Sequence, residues 1–108
     1  MAFTAVEITP EARAAADAVL ASGWVTTGPE VTAFEREFAT WVGAEHAVAV
    51  SSCTAAIQLG LRALQLPPGA KVISPVMTFC GAVHAVVQAG LTPVLADVDP
   101  DTLMPDAG

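Results

Sequence analysis

The sequence has few charged residues and very few basic ones. Charged residues occupy 14% of the 108 positions, against about a quarter in an average soluble domain. Lysine and arginine together number 4 against 11 acidic residues, which gives a formal net charge of −7. A protein that neutralises the phosphates of DNA or RNA needs a basic stripe, and this composition has none. We therefore expect no nucleic-acid partner.

Cysteine is scarce as well, and no basic, apolar leader opens the chain. A secreted scaffold of this size would normally carry more than Cys53 and Cys80, so we expect reduced thiols and a cytoplasmic protein. The uncharged run between Lys71 and Asp97 is long enough for a bilayer. Prolines, glycines and polar residues divide it into strand- and helix-length pieces, which predicts a soluble core and no membrane contact. The cysteines and histidines lack ligand spacing, so no metal site is predicted.

What the sequence has in excess is apolar residues, at 54% of the chain. A chain near this length buries only about two-thirds of the surface that its unfolded form exposes. Much of the apolar area would stay in contact with water if the chain folded alone. The composition predicts one domain at most, in need of more protein around it.

Residues 1–45 are predicted to form helices joined by an irregular loop. Thr9-Pro10-Glu11 is typical of a helix start, and the helix would run to Ser22-Gly23. A second helix begins near Pro29, with either Thr27 or Gly28 as its cap. Its apolar residues recur every three or four positions on one face: Val31, Phe34, Phe38, Trp41 and Val42.

Residues 46–108 alternate short apolar runs with helical stretches. The runs at 47–50, 72–73 and 94–96 have no polar face, which is typical of parallel strands buried on both sides. The stretches 54–66 and 78–89 lie between them and are predicted to be helices. The order is β-α-β-α-β, so the fold class is α/β with three parallel strands.

Ligands of open parallel sheets collect at the carboxyl ends of the strands. Ser52, Cys53 and Thr54 follow the first run, where free backbone N–H groups and hydroxyls could hold an anion such as phosphate. The alternative is that Ser52 or Thr54 only caps the helix. No glycine-rich fingerprint supports a dinucleotide or Walker loop.

The ends of the other two runs leave further alternatives. Phe79 could lie flat over a planar ring or belong to the core. Asp97 and Asp99 could serve a cofactor or a metal, but Asp-x-Asp-Pro-Asp favours an ordinary turn.

Cys53 could also be a nucleophile at a helix N-terminus, with a histidine as its base. The predicted positions oppose this, because His46 enters the first strand at its far end and His84 lies inside a helix.

Five blocks of sequence, in order, carry a resemblance to a known family. They are GWVTTGP at 23–29, FEREFATWVG at 34–43, HAVAVSSCTAA at 46–56, PGAKVISPVMTF at 68–79 and AGLTPVLADVDPDTL at 89–103. The chain resembles the amino-terminal portion of the DegT/DnrJ/EryC1/StrS aminotransferases, pyridoxal-phosphate enzymes of fold type I. The resemblance implies the amino-terminal part of their large domain, with an incomplete sheet.

The resemblance also implies roles for particular residues. Ser52, Cys53 and Thr54 would hold the phosphate of pyridoxal 5'-phosphate, and Phe79 would stack on its pyridine ring. A second group would lie at the mouth of the active site and help to receive substrate: Thr26, Thr27 and Gly28. The complete enzyme would be a homodimer that transfers an amino group from an amino-acid donor to a nucleotide-linked keto sugar.

Two catalytic groups of the family have no counterpart here. These are the lysine that forms the Schiff base and the aspartate that pairs with the pyridine nitrogen, so no catalytic residue is assigned to this chain. The family's first strand is also separated from the next two by strands that come later in its sequence. We expect an incomplete enzyme that is inactive alone. The alternatives are a non-catalytic remnant or interaction module, and a thiol enzyme that uses Cys53.

Overall fold

A computed structural model describes residues 6–105, which fall into two compact units, Met1–Ala49 and Val50–Gly108. Within the described residues, the first unit contains two helices, and the second contains two helices and a pair of strands. The elements are α1 (Pro10–Ser22), α2 (Pro29–Val42), α3 (Cys53–Ala63), β1 (Lys71–Pro75), α4 (Cys80–Gln88) and β2 (Thr92–Ala96).

Local capping chemistry sets the bounds of both helices in the first unit. The hydroxyl of Thr9 accepts a hydrogen bond from the Ala12 amide at 3.2 Å, as the predicted helix start requires. Helix α1 ends at Ser22 and is capped by Gly23, whose φ of 77° lies in the left-handed region that favours glycine. Helix α2 has Gly28 as its N-cap and Pro29 as its first residue, so Gly28 and not Thr27 is the cap.

The predicted apolar face of α2 is present and carries a row of aromatic rings. The centroids of Phe34 and Phe38 are 5.8 Å apart, and those of Phe38 and Trp41 are 6.0 Å apart. Trp41 is nonetheless 82% exposed, and Ala39 is the residue that α2 buries. The row is therefore an apolar surface open to solvent in the described structure.

The second unit is built on two parallel strands joined through α4. The strands pair in register from Lys71 opposite Thr92 to Pro75 opposite Ala96. Helix α4 packs on both strands, and α3 packs on α4. Few described residues of this unit are buried, and most of those are small. They are Ser74 on β1, Gly81, Ala85 and Val86 on α4, and Leu91 just before β2. The α/β class with parallel strands is confirmed.

The predicted strand at 47–50 is not a strand in this structure. A β-strand needs a neighbour that accepts and donates its backbone hydrogen bonds. Here the amide of Ala49 instead donates to the Glu35 carboxylate at 2.8 Å. The described sheet has two strands, where the sequence predicted three.

The prediction that every strand is buried on both sides is wrong for β1. Ser74 is 6% exposed, whereas its neighbour Ile73 is 71% exposed. Successive side chains of a strand point to opposite faces, so α4 covers the face that bears Ser74 and leaves the other open. Among residues 6–105, no helix combines the length and apolarity that crossing a membrane requires.

Candidate functional site

The first turn of α3 combines a side-chain cap with two free amides. The Ser52 hydroxyl accepts from the Ala55 amide at 3.1 Å, and the Ser52 carbonyl accepts from the Ala56 amide at 3.0 Å. The amides of Cys53 and Thr54 precede the first intrahelical bond and have no hydrogen-bond partner within the described part of the chain. Ser52 therefore caps the helix, and two amides beside it remain available to an anion.

The side chain of Thr54 approaches the beginning of α4. A Cβ atom built on Gly81 would lie 2.5 Å from the Thr54 hydroxyl oxygen and 3.0 Å from two ring carbons of Phe79, Cδ1 and Cε1. The hydroxyl and the ring therefore border the same point beside the first turn of α4. The structure thus brings together two side chains that follow different apolar runs in the sequence.

Sequence reasoning missed Gly81, although a signal was present. Glycine is a poor helix former, yet it is the second residue of α4. Because an isolated glycine weakens a helix, its presence in a predicted helix suggests a packing reason for the glycine.

Phe79 occupies the N-cap position of α4 and has no capping hydrogen bond. Its side chain is 79% exposed, so the alternative in which it belongs to the core is wrong for the described structure. An exposed aromatic ring can stack on a planar ligand. Its position just after the carboxyl end of β1 is the one expected for a ligand-binding residue of a parallel sheet.

In the first unit, a groove of about 300 Å³ lies between α1 and α2. Thr26 and Gly28 both line it, together with Trp24 and residues of the two helices, whereas Thr27 does not. Trp24 packs closely on Gly28, since a Cβ atom there would lie 3.2 Å from the Trp24 Cβ. The loop thus presents one of its two threonines to the groove.

The aspartates after β2 form a turn, as the sequence favours. The Asp99 carboxylate accepts hydrogen bonds from the amides of Thr102 at 2.8 Å and Asp101 at 2.9 Å. These bonds, with a further one from the Thr102 hydroxyl, lower the pKa of Asp99 below its ordinary value. Asp97 accepts from the amide of Val98 at 2.9 Å. Both carboxylates are engaged by local backbone.

The hypothesis that Cys53 is a nucleophile with a histidine as its base has no supporting hydrogen bond in the described structure. Cys53 and His84 are both exposed, on α3 and α4. His46 lies 3.5 Å from the carboxylate of Glu45, and both side chains are solvent-exposed. Within residues 6–105, no hydrogen bond joins Cys53 to a histidine, and no cluster of three or more His, Cys, Asp or Glu side chains could hold a metal ion.

Comparison with known proteins gives one consistent match. Residues 6–108 match the model of the DegT/DnrJ/EryC1/StrS aminotransferase family. The spore coat polysaccharide biosynthesis protein SpsC of Bacillus subtilis is 51% identical over 84 residues, which are 78% of this chain and 22% of that protein.

Solved structures agree with this match. The candidate sugar aminotransferase Spr1654 of Streptococcus pneumoniae, in its PLP form, aligns with a TM-score of 0.86 at 35% identity over 98% of this chain and 27% of its own. The GDP-4-keto-6-deoxy-D-mannose-3-dehydratase of E. coli, with bound hydrated PLP, aligns with a TM-score of 0.84 at 30% identity over 94% of this chain and 28% of its own. The chain spans about a quarter of the length of these proteins.

Proposed function

This chain belongs to the DegT/DnrJ/EryC1/StrS aminotransferase family, and we propose that it is the amino-terminal portion of a pyridoxal-phosphate-dependent sugar aminotransferase. The substrate is a keto sugar linked to a nucleotide, and the amino donor is an amino acid. The similarity to SpsC and to Spr1654 supports a sugar as the substrate class. The similarity to a dehydratase whose name specifies a GDP-linked sugar supports the nucleotide.

The residues around the start of α3 fit the phosphate of pyridoxal 5'-phosphate. The free amides of Cys53 and Thr54 point out of a helix N-terminus, where the helix dipole favours negative charge. The Thr54 hydroxyl adds a side-chain donor. The Ser52 hydroxyl already accepts from the Ala55 amide, but its own proton is free for donation. Because the position of Cys53 contributes its backbone amide, its thiol is not required for this role.

The observation that carries the proposal is the meeting of Thr54 and Phe79 beside Gly81. Phosphate and pyridine ring belong to one small molecule, so a hydroxyl for the first and an aromatic ring for the second must lie close together. The exposed Phe79 ring and the half-buried Thr54 side chain meet this requirement within one compact unit.

When bound, pyridoxal phosphate supplies the electron sink for the amino transfer. The residues of this chain bind its phosphate and orient its ring. Lys71, the chain's lone lysine, is the first residue of β1, whereas Phe79 follows the other end of that strand. A strand of this length separates its ends by about 13 Å. Lys71 is therefore not the Schiff-base lysine, which we assign to the remainder of the enzyme.

We assign Thr26, Thr27 and Gly28 to the substrate side. The groove beside Thr26 and Gly28 supports this assignment, and Thr27 has no support from it. We further propose that the complete enzyme is a cytoplasmic homodimer. A dehydratase that acts on the same class of sugar is the second candidate, because a dehydratase is among the similar structures.

The test compares two substitutions on α3 in the complete enzyme that carries this sequence. Thr54→Ala removes one charge-assisted hydrogen bond, worth about 1.5–3 kcal/mol, so the dissociation constant for pyridoxal phosphate should rise about 10- to 150-fold. Gln58→Ala, one helical turn along, should leave it unchanged. Absorbance titration of the cofactor-free enzyme gives both constants. Equal constants for the two variants would show that the phosphate site is elsewhere.

A further inference from the structure

We propose that Arg62 is a positioning residue for the cofactor site, because it fixes how far α3 lies along α4 and thereby the spacing between the Thr54 hydroxyl and the Phe79 ring. The proposal rests on the function given above. It concerns the carboxyl-terminal ends of the two helices, to which neither the sequence motifs nor the family resemblance assigns a role.

One hydrogen bond joins the carboxyl-terminal ends of α3 and α4. The guanidinium of Arg62, in the last turn of α3, donates through Nη2 to the carbonyl of Gln88 at 3.0 Å. Gln88 is the last residue of α4. Within residues 6–105, no other side-chain hydrogen bond links the two helices. The Arg62 side chain therefore ties α3 to α4 at the ends opposite Thr54 and Phe79.

The way in which α4 ends leaves the Gln88 carbonyl for Arg62. The carbonyls of Val86 and Val87 accept from the two amides that follow the helix cap, at 3.1 and 2.9 Å, as in other helices that end at a glycine. In the described chain no backbone amide donates to the carbonyl of Gln88. The helix dipole also places partial negative charge at this end, which favours a guanidinium.

The two helices run side by side in the same direction, with contacts at both ends. Thr54 approaches Gly81 at one end, and Arg62 binds Gln88 at the other. At 1.5 Å per residue, positions 54 and 62 are about 12 Å apart along α3. Because a helix keeps its rise, a shift of α3 along α4 at Arg62 appears in full at Thr54.

Such a shift separates the groups assigned to the phosphate from the group assigned to the pyridine ring. The hydroxyls of Ser52 and Thr54 and the amides of Cys53 and Thr54 all belong to the start of α3, so they move together. Phe79 precedes α4 and does not move with them. Pyridoxal phosphate needs both sets at one spacing, and displacements of about 1 Å are costly in such sites. Inorganic phosphate needs only the groups on α3.

The experiment replaces Arg62 in the complete enzyme that carries this sequence. Arg62→Met keeps an unbranched stem and removes the donors, and it leaves no cavity because Arg62 is exposed. In absorbance titration of the cofactor-free enzyme, the dissociation constant for pyridoxal phosphate should rise about tenfold, the loss of one hydrogen bond to a charged group. The dissociation constant for inorganic phosphate, from phosphorus NMR titration, should stay unchanged.

Two more variants and a stability measurement make the result specific. Arg62→Lys keeps the charge and a donor, so its affinity for pyridoxal phosphate should stay within about threefold of the wild type. Arg13→Met makes the same chemical change on α1, where the arginine side chain has no hydrogen bond or ion pair within the described residues, and should change neither constant. A merely structural Arg62 would lower stability in urea unfolding without changing the affinity for pyridoxal phosphate.

Four results would overturn the inference. They are wild-type affinity for pyridoxal phosphate in Arg62→Met, an equal loss of affinity for inorganic phosphate, an equal loss in Arg13→Met, and an Arg62→Lys variant as weak as Arg62→Met. Failure of the proposed function is distinguishable from these. In that case Thr54→Ala itself binds pyridoxal phosphate and inorganic phosphate normally.

Discussion

Substitutions at Ser52 can separate the capping role of this residue from an anion-binding role. Its hydroxyl accepts from the Ala55 amide at 3.1 Å, and α3 has this one side-chain cap. Replacing an N-cap serine by alanine costs about 1 kcal/mol. A loss of that size raises the open fraction of a helix about fivefold. In the cofactor-free enzyme, the α3 amides of Ser52→Ala should therefore exchange with solvent about five times faster.

Ser52→Asp should dissociate the two roles. Aspartate caps helices as well as serine does, and its charge is favourable at the positive end of the dipole. Amide exchange in α3 should therefore match the wild type. The same carboxylate would repel the phosphate, because like charges a few ångströms apart cost about 4 kcal/mol at the effective dielectric of a protein surface. The full repulsion would lower cofactor affinity about a thousandfold, and because salt screens charges near the surface, we expect a fall of at least about tenfold.

The measurements are hydrogen exchange followed by mass spectrometry for α3 and absorbance titration for pyridoxal phosphate. Ser51→Ala is the control, since its side chain makes no hydrogen bond within residues 6–105. Normal cofactor affinity in Ser52→Asp would refute the placement of the phosphate at this helix start. Unchanged exchange in Ser52→Ala would refute the capping assignment.

Three further predictions concern self-association of the chain, the reactivity of Lys71 and the turn at Asp99. The 108-residue chain alone should self-associate through exposed apolar side chains such as Trp41, and a compact monomer with one sharp unfolding transition in analytical ultracentrifugation and calorimetry would contradict this. Borohydride reduction of the chain mixed with pyridoxal phosphate should not label Lys71 stoichiometrically. Specific labelling of Lys71 in peptide mapping, together with amino transfer to a keto sugar, would refute the conclusion that the chain is an incomplete enzyme. Because the folded pKa of Asp99 is lowered, its contribution to stability is present above the unfolded pKa and lost as pH falls through the folded one. In Asp99→Asn, the free energy of unfolding should therefore fall less steeply as the pH is lowered. An identical pH dependence in the variant and the wild type would count against the Asp99 turn.

Local chemistry made much of the fold predictable. Thr9 and Gly23 bound α1 as predicted, because caps depend on residues within a turn of the helix end. For α2 the sequence left Thr27 and Gly28 as alternatives, and the structure has Gly28 as the cap. The Asp99 turn was likewise predictable, since its hydrogen-bond donors lie two and three residues away. In the candidate site, the helix start at Ser52 followed from its position after an apolar run.

Tertiary neighbours decided the rest. Residues 47–50 have the composition of a strand, but strand pairing needs a partner that local sequence does not specify. Burial of Ile73 depends on what covers its face of the sheet, and the described chain leaves that face open. The sequence by itself therefore determined the four helices, the strands β1 and β2, and the placement of Thr54 and Phe79 at helix starts. Only the packing of α3 on α4 brought these two side chains to one point beside Gly81, because that distance is set by two helices separated along the chain by a strand.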